Sequence, residues 1–158
     1  MNKRGFTLIE LLAVIVVLAI ILLIAMPIVL SVINDAREGA FNSTGYGLVK
    51  AAENEHMRNA LDGGVMATQT YTFNEAGDGT GNTLLDFSGE APTSGSIVVE
   101  VDGTTYMAIS NGAFCAVKAY NSTEVITYDG DGLNEAFTEA TNGIAHCNVA
   151  TLTSLATP

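Results

Sequence analysis

From Leu11 to Leu30 the chain reads LLAVIVVLAIILLIAMPIVL, an apolar run with no charged and no hydrogen-bonding side chain. About twenty such residues, each rising roughly 1.5 Å in a helix, match a hydrocarbon core about 30 Å thick, so this run can span a membrane. Past Pro27, apolar residues recur at Ile28, Val32, Ala36 and Ala40, with Val29, Ile33, Ala51 and Ala52 beside the stripe; this is the spacing of one helical face. Asn34, Asp35, Arg37 and Glu38 take the other face. The pattern predicts a helix that leaves the membrane and continues as an amphipathic rod to about Leu61, where Asp62-Gly63-Gly64 supplies a stop. From Phe6 the whole helix covers roughly fifty-six residues, or about 80 Å. Gly45 and Gly47 weaken one turn by about 1 kcal/mol each relative to alanine. Pro27 lacks the amide proton of its helical bond and crowds the preceding turn, which predicts a kink or local melting there.

After residue 64 the period changes from helical to alternating. IVVEV at 97–101 meets TTYMAIS at 104–110 through Asp102-Gly103, and AFCAVKAY at 113–120 follows through Asn111-Gly112. Both pairs favour two-residue hairpin turns with positive φ. EVITY at 124–128 continues the series, giving an antiparallel meander of four strands whose one face packs on the helix. The expected fold class is therefore α+β. The other face or the edges of the sheet need cover, and the irregular segment 129–158 is the candidate, with Cys147 fastening it to the strand that carries Cys115. TQTYTF at 68–73 is a further strand candidate, and NEAGDGTGN at 74–82 reads as an exposed loop.

Charge orients this picture. Six Lys and Arg stand against seventeen Asp and Glu. Lys3 and Arg4 are two of the six, so the remainder of the chain is more acidic still. Such a surface has no clustered cations for a phosphate backbone, so no direct nucleic-acid site is expected. The acidity serves either as a solvated surface or as charge spacing between like subunits. Lys3 and Arg4 before the apolar run place the amino terminus in the cytoplasm and residues after about 35 outside. A secretory signal peptide would need an apolar region of only roughly 7 to 15 residues and a small-residue cleavage site; here the run is longer, and SVINDAREGAF beyond it continues in helical style. In an exported domain Cys115 and Cys147 can form a disulfide, which over this loop contributes about 3 to 4 kcal/mol on the chain-entropy model. Two reduced, buried thiols are the alternative.

Little in the chain resembles catalytic or cofactor chemistry. The histidines are His56, on the expected rod, and His146, beside Cys147. Neither is set against a nucleophile for a triad. Cys115, His146 and Cys147 lack the short spacing of a zinc site, and adjacent side chains on an extended strand point to opposite faces. DGDGLNE at 129–135 offers oxygen ligands in Asp129, Asp131, Asn134 and Glu135, but Leu133 occupies the fifth position of a calcium loop, so a turn is the better reading. NST occurs at 42–44 and at 121–123, making Asn42 and Asn121 glycan acceptors where the machinery exists. No metal, no cofactor and no enzymatic activity is expected.

One residue resists this reading. Glu10 stands directly before the apolar run, and an isolated acid in a membrane helix costs on the order of 3 kcal/mol. The residues KRG followed by FTLIELLAVIVVLAIILLIAMP resemble the amino-terminal signature of type IV prepilins and their pseudopilin relatives. The likeness covers Lys3 to about Ala40, a quarter of the chain: a basic leader, Gly, Phe, Thr-Leu-Ile-Glu and an unbroken apolar span in the family's order. The rest is similar only in architecture, as an antiparallel sheet on a long helix with a cysteine pair near the carboxyl end.

The resemblance implies that a membrane prepilin peptidase cuts after Gly5 on the cytoplasmic face and methylates the new amino terminus at Phe6. It implies that Glu10 pairs in the filament with the terminal amine of an adjacent protomer, where two opposite charges desolvate together. Glu10 also falls in the first helical turn after cleavage, where a negative side chain suits the helix dipole by about 0.3 to 1 kcal/mol. Pro27 matches a position linked to helix melting in filaments, while Ala19 stands where many members have a mid-span glycine. The implied organisation is a leader at 1–5, a transmembrane and polymerisation helix at 6–30, an amphipathic helix at 31–61 and a globular β-sheet head at 62–158 closed by the disulfide loop. The implied function is a pilin: a structural subunit in the inner membrane before assembly and in an extracellular filament after it, used for adhesion, motility or DNA uptake. Its partners would be other pilin subunits, the prepilin peptidase, the assembly machinery and the lipid bilayer. A pseudopilin of a secretion or competence apparatus is the alternative within the family, and an anchored, non-polymerising binding domain is the alternative outside it.

Overall fold

The computed structural model describes residues 6–64, 66–120 and 122–129. In chain order the elements are α1 (Leu8–Leu61), β1 (Gln69–Asn74), α2 (Thr80–Leu84), β2 (Ser94–Val99), β3 (Thr105–Ser110), β4 (Phe114–Lys118) and β5 (Ile126–Asp129). The chain forms two compact units, Met1–Arg37 and Glu38–Pro158, and α1 contributes to both. The fold is α+β and pilin-like: a long amino-terminal helix and an antiparallel sheet that packs on the helix's second half.

In the first unit every large apolar side chain from Phe6 to Ile33 is exposed. Ile28, Val32 and Ala36 belong to this exposed stretch, and Ala40 is exposed as well, so the stripe expected at those positions is not the one that packs. Burial starts at Phe41 and follows Thr44, Gly45, Leu48, Val49, Ala51, Ala52 and His56. The three- and four-residue steps are those of a helical face, as expected, but the phase belongs to the turns that meet the sheet. Phe41 and Leu48 enter a core with Tyr71, Phe73, Ile97, Val99, Met107, Ile109, Phe114, Ala116 and Val125. Full burial of a side chain such as Phe41 contributes about 1.5 to 3 kcal/mol.

Gly45 has a use that helix propensity hides. A Cβ at this position would lie 2.9 Å from Met107 Cε and 2.9 Å from Val125 Cγ1, so its bare backbone lets the sheet approach the helix. At Gly47 an added Cβ would meet nothing. The helix stops where expected. Gly63 takes φ +84° and Gly64 N–H donates to Asn59 O at 3.1 Å, the six-to-one bond of a Schellman end.

The sheet has five strands in the order β1-β2-β3-β4-β5, one more than the meander of four, because TQTYTF forms β1. Tyr71 and Phe73 of β1 are buried while Thr72 and Asn74 are exposed, the alternation of a strand with one packed face. The segment expected as an open loop at 74–82 instead folds back as a turn and the short helix α2. Thr80 Oγ1 accepts from Thr72 N–H at 2.9 Å, and Asn82 Oδ1 accepts from Asn74 N–H at 3.2 Å.

Both hairpin turns occur, with corrected geometry. Between β2 and β3 the loop has three residues: Glu100 N–H donates to Thr104 O, Gly103 N–H donates to Glu100 O, and Gly103 is at φ +86°. Between β3 and β4 the central pair is Gly112-Ala113 rather than Asn111-Gly112. Asn111 N–H donates to Phe114 O, and Gly112 at φ +90° holds the first central position that a type II′ turn reserves for glycine. Asn111 Oδ1 tightens the turn by accepting from Ala113 N–H and Phe114 N–H.

Every residue of β3 and β4 is buried, Thr105, Ser110 and Lys118 included, and an apolar cluster forms on each face of the sheet. The face away from α1 carries Val98, Tyr106, Ala108, Cys115 and Val117, with Tyr120 and Tyr128 packed against them. The cover expected from segment 129–158 lies, beyond Asp129, outside the described residues.

Candidate functional site

The amino-terminal end of α1 holds the residues that sequence reasoning singled out. Phe6 is 82% exposed, immediately ahead of the helix; Gly5, the expected cleavage position, lies outside the described residues. Thr7 is the residue before Leu8 at the helix start, and its carbonyl accepts from Leu11 N–H at 3.3 Å. Its hydroxyl oxygen accepts from Glu10 N–H at 3.4 Å. In return Glu10 Oε2 accepts from Thr7 N–H at 2.8 Å and from the Thr7 hydroxyl at 2.7 Å. This is a capping box, in which two amides that the helix start leaves without partners are satisfied reciprocally.

The capping box gives Glu10 a role within its own chain, which sequence reasoning found only as a dipole contribution. The signal was present: Thr7-Leu8-Ile9-Glu10 ahead of an apolar run is the spacing of a Thr N-cap with a Glu three residues on. Thr7 is therefore the functional residue that the reading of Glu10 alone missed. A carboxylate with two short hydrogen bonds costs less beside an apolar helix than an orphan one.

Behind this end, α1 is long and apolar enough to cross a membrane, and the membrane-length stretch is exposed throughout. Residues Ala19, Leu22, Leu23, Met26, Pro27 and Leu30 line a shallow apolar groove on it. Pro27 is helical in place, with α1 running through it, so the chain by itself shows no melted segment there.

The remaining candidates fall in the second unit. Cys115 is 1% exposed on β4, in the cluster facing away from α1; Cys147 lies outside the described residues. Asn42 Nδ2 donates to Val125 O at 2.8 Å and to Thr127 Oγ1 at 2.9 Å, so its amide nitrogen clasps the helix to β5 and is not presented for a glycan. Asn121 lies outside the described residues. Asp129 ends β5, while Asp131, Asn134, Glu135 and His146 lie outside them. His56 is buried on α1, and neither ring nitrogen has a hydrogen-bond partner among the described residues.

Residues 1–26 match the model of the prokaryotic N-terminal methylation motif. No curated protein and no solved structure matches the chain. The matched stretch contains Phe6, Thr7 and Glu10 and most of the exposed apolar helix. Such a segment marks a prepilin peptidase substrate of the kind that assembles with other pilin-type subunits, and it fits anchoring in a membrane before assembly. At its amino terminus the chain carries the class III signal peptide of type IV pilin-like proteins.

Proposed function

We propose that the protein is a structural pilin, cut after Gly5, methylated at Phe6 and polymerised through α1 into an extracellular filament. The observation that carries this reading is the first unit itself: a membrane-length apolar helix, exposed on all sides, with a single carboxylate at its start. Lipid covers that surface before assembly, and copies of the same helix cover it afterwards. In the filament Glu10 faces the methylated amine of a neighbouring protomer. The capping box keeps the carboxylate satisfied until that amine arrives, so the pairing competes with two hydrogen bonds rather than with an orphan charge.

In this reading residues 1–5 are the leader, 6–30 the polymerisation helix, 31–61 the amphipathic helix and 62–158 the head. Pro27 is the point where the helix melts on assembly, since its missing amide already removes one helical bond. A Cys115–Cys147 disulfide fastens the carboxyl-terminal segment to β4. The fibre serves adhesion, motility or DNA uptake.

Intact-mass spectrometry of protein recovered from sheared cell-surface fibres tests this. The expected mass is that of a chain starting at Phe6, plus one methyl group and minus the two hydrogens of a disulfide. A chain beginning at Met1, or cell surfaces without fibres of this protein, would refute the pilin reading. Correct processing without long fibres would assign the chain to a secretion or competence pseudopilus.

A further inference from the structure

The charge distribution of the second unit contains an unexplained cation. Lys118 ends β4 and is 8% exposed, although it belongs to a residue type rarely buried without a partner. Its Nζ donates to the Thr105 carbonyl. That is one hydrogen bond for a group with three donors. Among the described residues the ion pairs are Lys50–Glu53 at 2.8 Å and Arg58–Glu55 at 3.5 Å, so Lys118 has no carboxylate in contact there. The nearest acid in influence, Glu53, is already engaged by Lys50 and by the Thr105 hydroxyl at 3.4 Å. Burial pushes the Lys118 amine below its ordinary range; Glu53 opposes that shift and Lys50 adds to it.

A buried ammonium with no carboxylate in contact costs stability, and proteins ordinarily supply an anion to it. The pocket that Lys118 lines has room for one. It encloses about 390 Å³ between α1, the β2–β3 turn and the chain after β4, which is the size class of small-molecule sites. Its charged lining is Lys50, Glu53 and Lys118, and because Lys50 and Glu53 pair with each other at 2.8 Å, Lys118 is left as the cation without a partner carboxylate in contact among the described residues. Tyr46 and Tyr120 form aromatic walls. Tyr46 Oη accepts from Val125 N–H at 3.1 Å and keeps its own proton to donate, and Thr104 and Thr123 add hydroxyls at the lining.

We propose that this pocket binds a carboxylate from outside the chain's own core, with Lys118 Nζ as the charged donor and the Tyr46 hydroxyl beside it. The carboxylate comes either from a free acid, of which a uronic acid fits the volume and the hydroxyl-lined, aromatic-walled surface, or from an acidic side chain of a second copy. Binding forms charge-assisted hydrogen bonds and no covalent bond. The site does not depend on the pilin reading for its first source.

Thermal unfolding of the full-length chain in detergent micelles tests it, with sodium glucuronate as the probe, and sodium chloride at equal ionic strength and glucose as controls. Glucuronate alone is expected to raise Tm in a dose-dependent way, since a ligand that binds the native state stabilises it by mass action. In Lys118→Met the apparent affinity falls by at least roughly tenfold, the loss of one charged donor. If the dispersed chain does not respond, the second arm is carbodiimide coupling on assembled fibres; an amide between Lys118 and a carboxylate of another copy would assign the anion to the neighbour. Equal responses to glucuronate and glucose, an unchanged response in Lys118→Met, or no response in either arm overturns the proposal. Should Lys118→Met fail to fold, the contrast between glucuronate and glucose on the unsubstituted chain decides alone. Absence of fibres bears on the filament alone; the first arm then decides, and no response to glucuronate overturns the proposal.

Discussion

Two glycines in α1 predict opposite outcomes for the same substitution. Gly45→Ala and Gly47→Ala each replace glycine by alanine in a helix interior, which by propensity alone stabilises by about 1 kcal/mol. At Gly47 the new methyl group enters open space. At Gly45 it is placed 2.9 Å from two carbons, Met107 Cε and Val125 Cγ1, well inside van der Waals contact. Met107 is fully buried and Val125 nearly so, so neither has free volume to move into. Overpacking of this kind costs about 1 to 3 kcal/mol. Because the propensity gain is common to both variants, subtracting one from the other isolates the steric part. Gly47→Ala is expected to melt above the unsubstituted chain, and Gly45→Ala below Gly47→Ala by about 1 to 3 kcal/mol. For a folded unit of this size that is a gap of roughly 3 to 15 °C. Circular dichroism melts of the two full-length variants in the same detergent measure it. Coincident melting curves, or a more stable Gly45→Ala, would refute the close approach of helix and sheet at this turn.

Other expectations follow from the amino-terminal cap and the hairpins. If the protein is the pilin proposed above, Glu10→Ala should leave cleavage after Gly5 intact and strand the neighbouring protomer's amine without a counter-charge, at a cost of about 3 to 5 kcal/mol per contact, so fibres on sheared cells should fall by more than tenfold; unchanged fibre yield would exclude the pairing. Thr7→Val removes the N-cap hydroxyl at a cost of about 1 kcal/mol, so the Glu10 amide should exchange its hydrogen roughly fivefold faster; an unaltered exchange rate would contradict the cap. Asp102 accepts from Thr104 N–H at 2.9 Å, and this hydrogen bond holds its carboxyl below the ordinary value of 3.8. Its stabilising effect is thus complete above that value and lost as the pH falls through the lower folded value. The stability difference between the unsubstituted chain and Asp102→Ala should therefore vanish in strong acid, and a pH-independent difference in urea titrations would disprove the contribution.

Where local chemistry decides the structure, the sequence was readable. The Schellman end at Gly63 and the hairpins at Gly103 and Gly112 each depend on a residue able to take positive φ, and glycine announces that position. The details of the turns were not readable, because Asn-Gly and Asp-Gly fit loops of two or three residues and the register of the flanking strands chooses between them. The helix stripe was misplaced for a different reason. Ile28, Val32 and Ala36 have helical spacing and apolar character, but periodicity says nothing about which turns have a sheet opposite them. β1 was only half legible, since its threonines and asparagine owe their place to hydrogen bonds with Thr80 and Asn82 rather than to hydrophobicity. At the candidate site, Glu10 stood out because a charge beside an apolar run demands an explanation. Thr7 did not, because a threonine is unremarkable until its distance from a glutamate is counted. Lys118 was invisible: a lysine in an alternating strand reads as solvent-facing, and only packing from α1 and the turns encloses it.

The bonds from α2 to β1 also bear on how closely copies of this protein can be crowded. Thr80 and Asn82 occupy backbone donors that an outermost strand would otherwise offer to any extended chain beside it. An edge occupied in this way gives a neighbouring copy little on which to template a continuing ladder, the route by which dense β-rich proteins fuse into cross-β aggregates. Packing many copies side by side is then left to surfaces that can separate again.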